Sequence, residues 1–209
     1  MKGEHMKNNI VNIIGIITSK FEFSHVTYTE NFYKAEICTQ RKSGVYDILP
    51  ILVPEHKLRE FSECNVIGTK AEIVGSFRSR NVFAEGRSHL ILYILVDSIK
   101  VTEAEDKNYI YLDGFVCKKP VYRVTPLEKK ITDVLLAVNR NYNRSDYIPT
   151  LVWGNNAEYV ANMEQGDKLA ISGRVQSRYY KKVSEDGIEE RVAYEVSVGW
   201  IDFDLSTII

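Results

Sequence analysis

Long apolar runs are missing from these 209 residues, and no stretch approaches the ~20 residues that a membrane-spanning helix needs. Nothing reads as a secretory signal, so no membrane partner is expected. The opening Met1 to Met6 reads as a leader ahead of a second start at Met6. Cysteine is scarce: Cys38, Cys64 and Cys117 are odd in number, widely spaced and without a CxxC, which argues against a disulfide framework or a zinc cluster and fits a reducing cytoplasm. Histidine is scarcer where it would matter. His5, His25, His56 and His89 are scattered through the first half, and the second half has none. No glycine-rich phosphate loop follows a strand and opens a helix. Without a metal cluster, a triad or a phosphate loop, neither an enzyme nor a cofactor nor a small-molecule substrate is expected. An excess of positive charge is also absent: the net charge is −1, with 13 basic against 14 acidic residues in 1–106 and 14 against 14 in 107–209. A nucleic-acid site would therefore have to be a local basic groove on a neutral protein.

What the chain does contain is itself, twice. Asp47-Ile48-Leu49-Pro50-Ile51-Leu52-Val53 returns as Asp146-Tyr147-Ile148-Pro149-Thr150-Leu151-Val152, and Gly15 and Arg41 return as Gly114 and Arg140, all 99 residues on. Gly75-Ser76-Phe77-Arg78-Ser79-Arg80 returns 98 residues on as Gly173-Arg174-Val175-Gln176-Ser177-Arg178. A period this long is a whole domain, because solenoid units run to about 20–50 residues. Two domains of ordinary size are expected, over 8–102 and 108–205, joined by the short acidic linker Thr102 to Asn108.

Segments rich in β-branched and aromatic residues, separated by turn chemistry, predict five strands in the second half: 109–124, 129–140, 147–153, 167–178 and 191–203. Between the third and fourth lies the one helix-like stretch, Asn155 to Met163, with Gly166 as its expected stop. The first half repeats the order, with strands near 10–25, 30–41, 46–53, 65–79 and 88–101 and a helix near Glu55 to Ser62. Three strands, a short helix and two more strands is the order of an OB-fold, so the expected class is all-β, with two tandem OB-fold barrels. Gly15 and Gly114 fall inside long first strands, where a missing side chain permits either the bend that serves both sides of a barrel or an ordinary bulge. The acidic run Glu185 to Glu190 holds an Asp-Gly pair and reads as a solvated hairpin turn.

Aromatic and basic residues mix on the second half's strands: Tyr142, Tyr147, Trp153, Tyr179 and Tyr180 among Arg140, Arg174, Arg178 and Lys181. Unpaired strands are held in this way, since π-faces stack on bases of any sequence while cations follow the phosphates. Aromatics can equally fill a β-core, but adjacent Tyr179 and Tyr180 must face opposite sides of a strand, so only one can point inward.

The run from Leu136 to Tyr142, the run from Tyr147 to Glu158, the run from Gly166 to Tyr180, and Tyr194-Glu195-Val196 resemble, in order and spacing, the bacterial single-stranded DNA-binding protein family. The resemblance covers nearly all of 108–203 and is weak in the first half. It implies non-catalytic, largely sequence-independent binding of single-stranded DNA in replication, recombination or repair. It also implies a homodimer presenting four OB folds, and four base-stacking positions that fall on Tyr142, Tyr147, Trp153 and Tyr180. The first half departs from the pattern: Ser43, Ile48, Pro54 and Val82 occupy those four places, leaving Arg41, Arg78 and Arg80, with Phe83 as the substitute platform. The first barrel is expected to be a weaker or specialised binder, or a structural unit. The family's flexible tail with an acidic tip has no counterpart in the residues ending at Ile209, so recruitment of enzymes through it is not expected. The alternative is an OB-fold protein-interaction module of a replication-restart or mobile-element complex that binds nucleic acid weakly.

Overall fold

A computed structural model describes residues 8–61, 67–84, 86–184 and 187–202. The first half forms β1 (Asn9–Ile17), β2 (Glu22–Thr27), β3 (Glu30–Gln40), β4 (Tyr46–Pro54), α1 (Glu55–Glu60), β5 (Lys70–Ala84) and β6 (Arg87–Val101). The second forms β7 (Lys107–Val116), β8 (Val121–Val124), β9 (Lys130–Arg140), β10 (Arg144–Trp153), α2 (Asn155–Ala161), β11 (Lys168–Ser184) and β12 (Gly187–Asp202). Both halves follow the OB-fold order.

Three expectations need correction. Each long first strand is two strands, broken at 18–21 and at 117–120, because the first piece pairs with the barrel interior strands and the second turns away to pair only with its neighbour. The fourth strands run well past the expected 79 and 178, forming with their partners the long hairpin arms β5–β6 and β11–β12. Helix α2 ends at Ala161, with Asn162 as its cap. Gly166, at φ +95°, serves instead the turn that enters β11, and its N–H donates to Val116 O. Residues 62–66, where the helix end, Cys64 and the next strand's start were expected, lie outside the described residues, as do 1–7, Glu85, Glu185, Asp186 and 203–209.

Gly15 and Gly114 explain how one strand serves two neighbours. β1 pairs with β5 along Val11 to Ile16 and then with β3 at Ile16 and Ile17, and β7 pairs with β11 and then with β9 at Phe115 and Val116. A Cβ on Gly15 would stand 2.2 Å from Cys38 O, and one on Gly114 would stand 2.5 Å from Ala137 O. The backbone of the third strand occupies the space a side chain would need, so close approach, not a positive φ, selects glycine here.

The barrels are not separate bodies on a tether. β1 and β7 pair antiparallel, and Val11 stands opposite Ile110, its own counterpart in the repeat, so the joint has near two-fold symmetry and all twelve strands form one continuous sheet. The buried cores run together through Val11, Ile13, Ile110 and Leu112. Reciprocal hydrogen bonds lock the arms across the joint: Ser177 N donates to Asp47 Oδ1 (2.9 Å) and Ser79 N to Asp146 Oδ1 (2.7 Å). Ile48 N donates to Ser177 Oγ, and Tyr147 N to Ser79 Oγ. Both carboxylates are fully buried, and both belong to the repeated Asp-x-x-Pro phrase.

Candidate nucleic-acid interface

Strand alternation sorts β10 into two faces. Asp146, Ile148, Thr150 and Val152 point inward and are buried, while Tyr147, Pro149, Leu151 and Trp153 point outward. Cross-strand neighbours share a face. Register then extends this outer face across β12, where Ser197 stands beside Leu151, and on to β11, where Arg174, Gln176, Arg178 and Tyr180 stand opposite Ser197, Glu195, Ala193 and Arg191. Trp153, Tyr147, Tyr180, Arg174 and Arg178 therefore occupy one continuous three-stranded surface. The three rings are between 37% and 40% exposed, with their bodies supported by the sheet and one side open.

The rings are held in place before any ligand arrives. Trp153 Nε1 donates to Ser197 Oγ at 3.1 Å, which satisfies the indole donor on the barrel side. The Arg178 guanidinium lies 5.7 Å from the centroid of Tyr180, a cation–π contact, with Glu195 3.5 Å from its Nε. Tyr142 sits at the tip of the β9–β10 hairpin, 94% exposed, and it and Asn143 both adopt left-handed backbone (φ +63° and +53°). Asparagine tolerates that region, but a tyrosine there carries strain of about 1 kcal/mol or more. The backbone spends that strain on displaying a bare ring to solvent.

Arg174 makes no ion pair among the described residues. It is half buried, Nη2 donates only to Gln176 Oε1 (3.1 Å), and Nε is unpartnered among the described residues. Burial and the neighbouring Arg41 cation push its guanidinium below its ordinary value, although Asp47 opposes this. A buried, underpaired guanidinium flanked by a second cation is a ready receptor for an anion.

Other expected residues fall elsewhere. Arg140 and Arg78 converge on buried Asp146, at 3.4 and 3.0 Å, and Arg78 reaches it across the joint. Their first task is structural, for Asp146 could not be buried as an anion without them. Tyr179 and Lys181 are exposed but lie on the opposite face of β11 from Tyr180, in agreement with the division required of the tyrosine pair. In the first barrel Arg80 is exposed beside Val82 on the outer face, whereas Phe83, 77% exposed, points to the other face, away from Arg78, Arg80 and Val82. Phe83 is thus misplaced to substitute for a ring at Val82. Sequence reasoning passed over the pair Asn9 and Asn108, whose amides close the ladder ends at Phe77 and Val175. Their equal offset of 99 was the available signal.

Among the described residues no three His, Cys, Asp or Glu side chains are grouped so as to hold a metal ion, and no helix is long and apolar enough to cross a membrane.

Residues 107–204 match the family model described as Single-strand binding protein family. A protein of Clostridium tetani named Single-stranded DNA-binding protein is 39% identical over 100 residues, spanning 43% of this chain and 68% of that protein. One of Clostridium acetobutylicum, Single-stranded DNA-binding protein 2, is 36% identical over 100 residues, spanning 43% and 74%. Among solved structures, the wild-type single-stranded DNA-binding protein from Thermus aquaticus superposes over 93% of this chain and 91% of its own with a TM-score of 0.75. At 18% identity that likeness establishes the fold, and it extends through both barrels.

Proposed function

As the chain belongs to the single-strand binding protein family, we propose that it binds single-stranded DNA without catalysis and with little sequence preference, chiefly through the outer face of the second barrel. One observation carries this reading: Trp153, Tyr147, Tyr180, Arg174 and Arg178 share one continuous sheet face, with Tyr142 displayed at its hairpin tip. Bases stack on the rings, and phosphates are drawn to Arg174 and Arg178, so the contact reads the unpaired state rather than a sequence. Duplex DNA hides the faces of its bases and cannot use such a surface.

The finer parts of the reading belong to the proposal as well. Residues 8–102 and 108–205 act as two OB-fold units in the cytoplasm, serving replication, recombination or repair. Two copies associate to present four barrels. The support for the dimer is a separate part of the same outer surface, nearer the joint, where Ile10, Ile16, Tyr109, Tyr111, Phe115 and Trp200 form an outward apolar strip on β1, β7 and β12. The interaction-module alternative gives no account of four exposed rings displayed beside underpaired arginine.

The test is a titration of the full chain with a labelled dT oligomer and with duplex of equal length, at several salt concentrations. Binding of the oligomer alone is expected, with log affinity falling against log salt at about −0.7 per phosphate engaged. Equal affinity for duplex would reject the reading.

A further inference from the structure

The first barrel lacks aromatics at the four family positions, yet its outer face is not bare. In the second barrel Trp153 stands opposite Ile131, which stands opposite Arg123. The equivalent row in the first barrel is Pro54 opposite Phe32, which stands opposite His25. The aromatic has moved one strand outward, from β4 to β3. The His25 and Phe32 rings lie parallel, 6° apart in plane with centroids 5.1 Å apart, a stacked pair that offers a flat, half-buried surface. The same hairpin carries Tyr28 at its tip, 97% exposed, with Tyr28 and Thr29 both left-handed (φ +48° and +69°). Two-residue turns of this hand favour Asn-Gly, and a tyrosine followed by a β-branched threonine strains it. That is the display seen for Tyr142, made on the neighbouring hairpin. Further along the same face, half-buried Tyr93 stands opposite Arg78, and His89 opposite Val82, with Arg80 exposed between them.

Packing of the hairpin does not explain the stacked pair. β2 is anchored by its other face, where Phe23 meets Tyr33 edge-on (centroids 6.1 Å apart) and Tyr33 packs against the core. We propose that the first barrel carries its own site for unpaired nucleic-acid bases, in which the His25–Phe32 stack and Tyr28 replace the lost platforms and Tyr93 with Arg80 continues the path. This rests on the single-strand reading above and gives that reading a second site of different construction. The hairpin β2–β3 takes the part that β9–β10 plays in the second barrel.

The experiment uses the full chain. Tyr147→Leu with Trp153→Leu disables the second face, and residual binding of a fluorescein-labelled dT oligomer is measured by anisotropy. Adding His25→Ala with Phe32→Leu, which removes both rings but keeps an apolar side chain at 32, is expected to lower that residual affinity between about fivefold and a hundredfold. His25→Ala with Phe32→Tyr, which keeps the ring at 32, should lose less of it than the pair with leucine. Independently of any variant's folding, a bromodeoxyuridine-substituted oligomer cross-linked to the unaltered chain should label peptides containing Tyr28 and His25 to Phe32. Unchanged affinity together with no label on that hairpin overturns the second site, while binding by the unaltered chain leaves the second barrel's function standing. Failure of the unaltered chain to bind the oligomer at all overturns both.

Discussion

The two tryptophans divide the molecule's two proposed duties between them, and that division can be read by fluorescence. Trp153 lies on the outer face of the second barrel, while Trp200 stands opposite Ser172, on the apolar strip proposed for dimerisation, and is 67% exposed. In a Trp200→Phe variant all tryptophan emission comes from Trp153 and should be quenched by a dT oligomer as in the unaltered chain. In Trp153→Phe the emission comes from Trp200 and should hardly respond to DNA, but should shift on dilution through the dimer's dissociation range. Size estimates keep folding and binding apart. With somewhat under two-thirds of its surface covered, Trp153 buries roughly 150 Å² that alanine would give up, worth about 4 kcal/mol of stability at ~25 cal/mol per Å². Losing the bond to Ser197 Oγ adds about 1 kcal/mol. Phenylalanine keeps most of the cover and forfeits mainly that bond, so Trp153→Phe should fold. Binding should weaken by about 1–3 kcal/mol for alanine and by less for phenylalanine, which still stacks. Urea melts and oligomer titrations on the same samples separate the two. If Trp153→Phe retained full quenching while Trp200→Phe lost it, the stacking site would have been assigned to the wrong part of the outer surface.

Asp146→Ala should cost about 3 kcal/mol in urea unfolding, since it strands two partly exposed arginines and the Ser79 N–H. Asp146→Asn, which keeps an acceptor for that N–H, should cost less; equal losses would argue against the role of the Ser79 hydrogen bond and leave the charge to account for the whole cost. Gly114→Ala should cost upwards of about 3 kcal/mol, because its Cβ would strike Ala137 O, whereas Gly166→Ala, strained in φ but unobstructed, should cost about 1 kcal/mol; thermal melts showing the reverse order would refute the close-approach account. Burial, with Asp106 and Asp47 nearby, raises the Cys38 thiol above its ordinary value. Less thiolate is then present at any pH below that value, so alkylation around pH 8 should be slower than for free cysteine and should still be climbing where free cysteine has levelled off. A rate equal to that of free cysteine would contradict the shift.

Much of this was legible in the chain. The repeat offsets of 98 and 99 pointed to two copies of one unit, and Tyr147 and Trp153, six residues apart on β10, share a side because period-two sorting is a local property of extended backbone. The Tyr179–Tyr180 division followed from the same rule. Alternation would also have turned Phe83 away from Val82, had it been applied there.

Only the tertiary structure decided the rest, because it depends on pairing between residues far apart in sequence. Nothing local says that Asp47 and Asp146 accept from the opposite barrel's arm, that Arg78 is committed to one of them, or that Arg174 is left short of a partner beside Arg41. Nor does composition show that Phe32 stands opposite Pro54 with His25 stacked upon it. Cross-strand register sets which side chains become neighbours. It is determined by the whole set of strands closing together, so a ring lost at one position can reappear on the next strand where a residue-by-residue comparison of the repeats does not look.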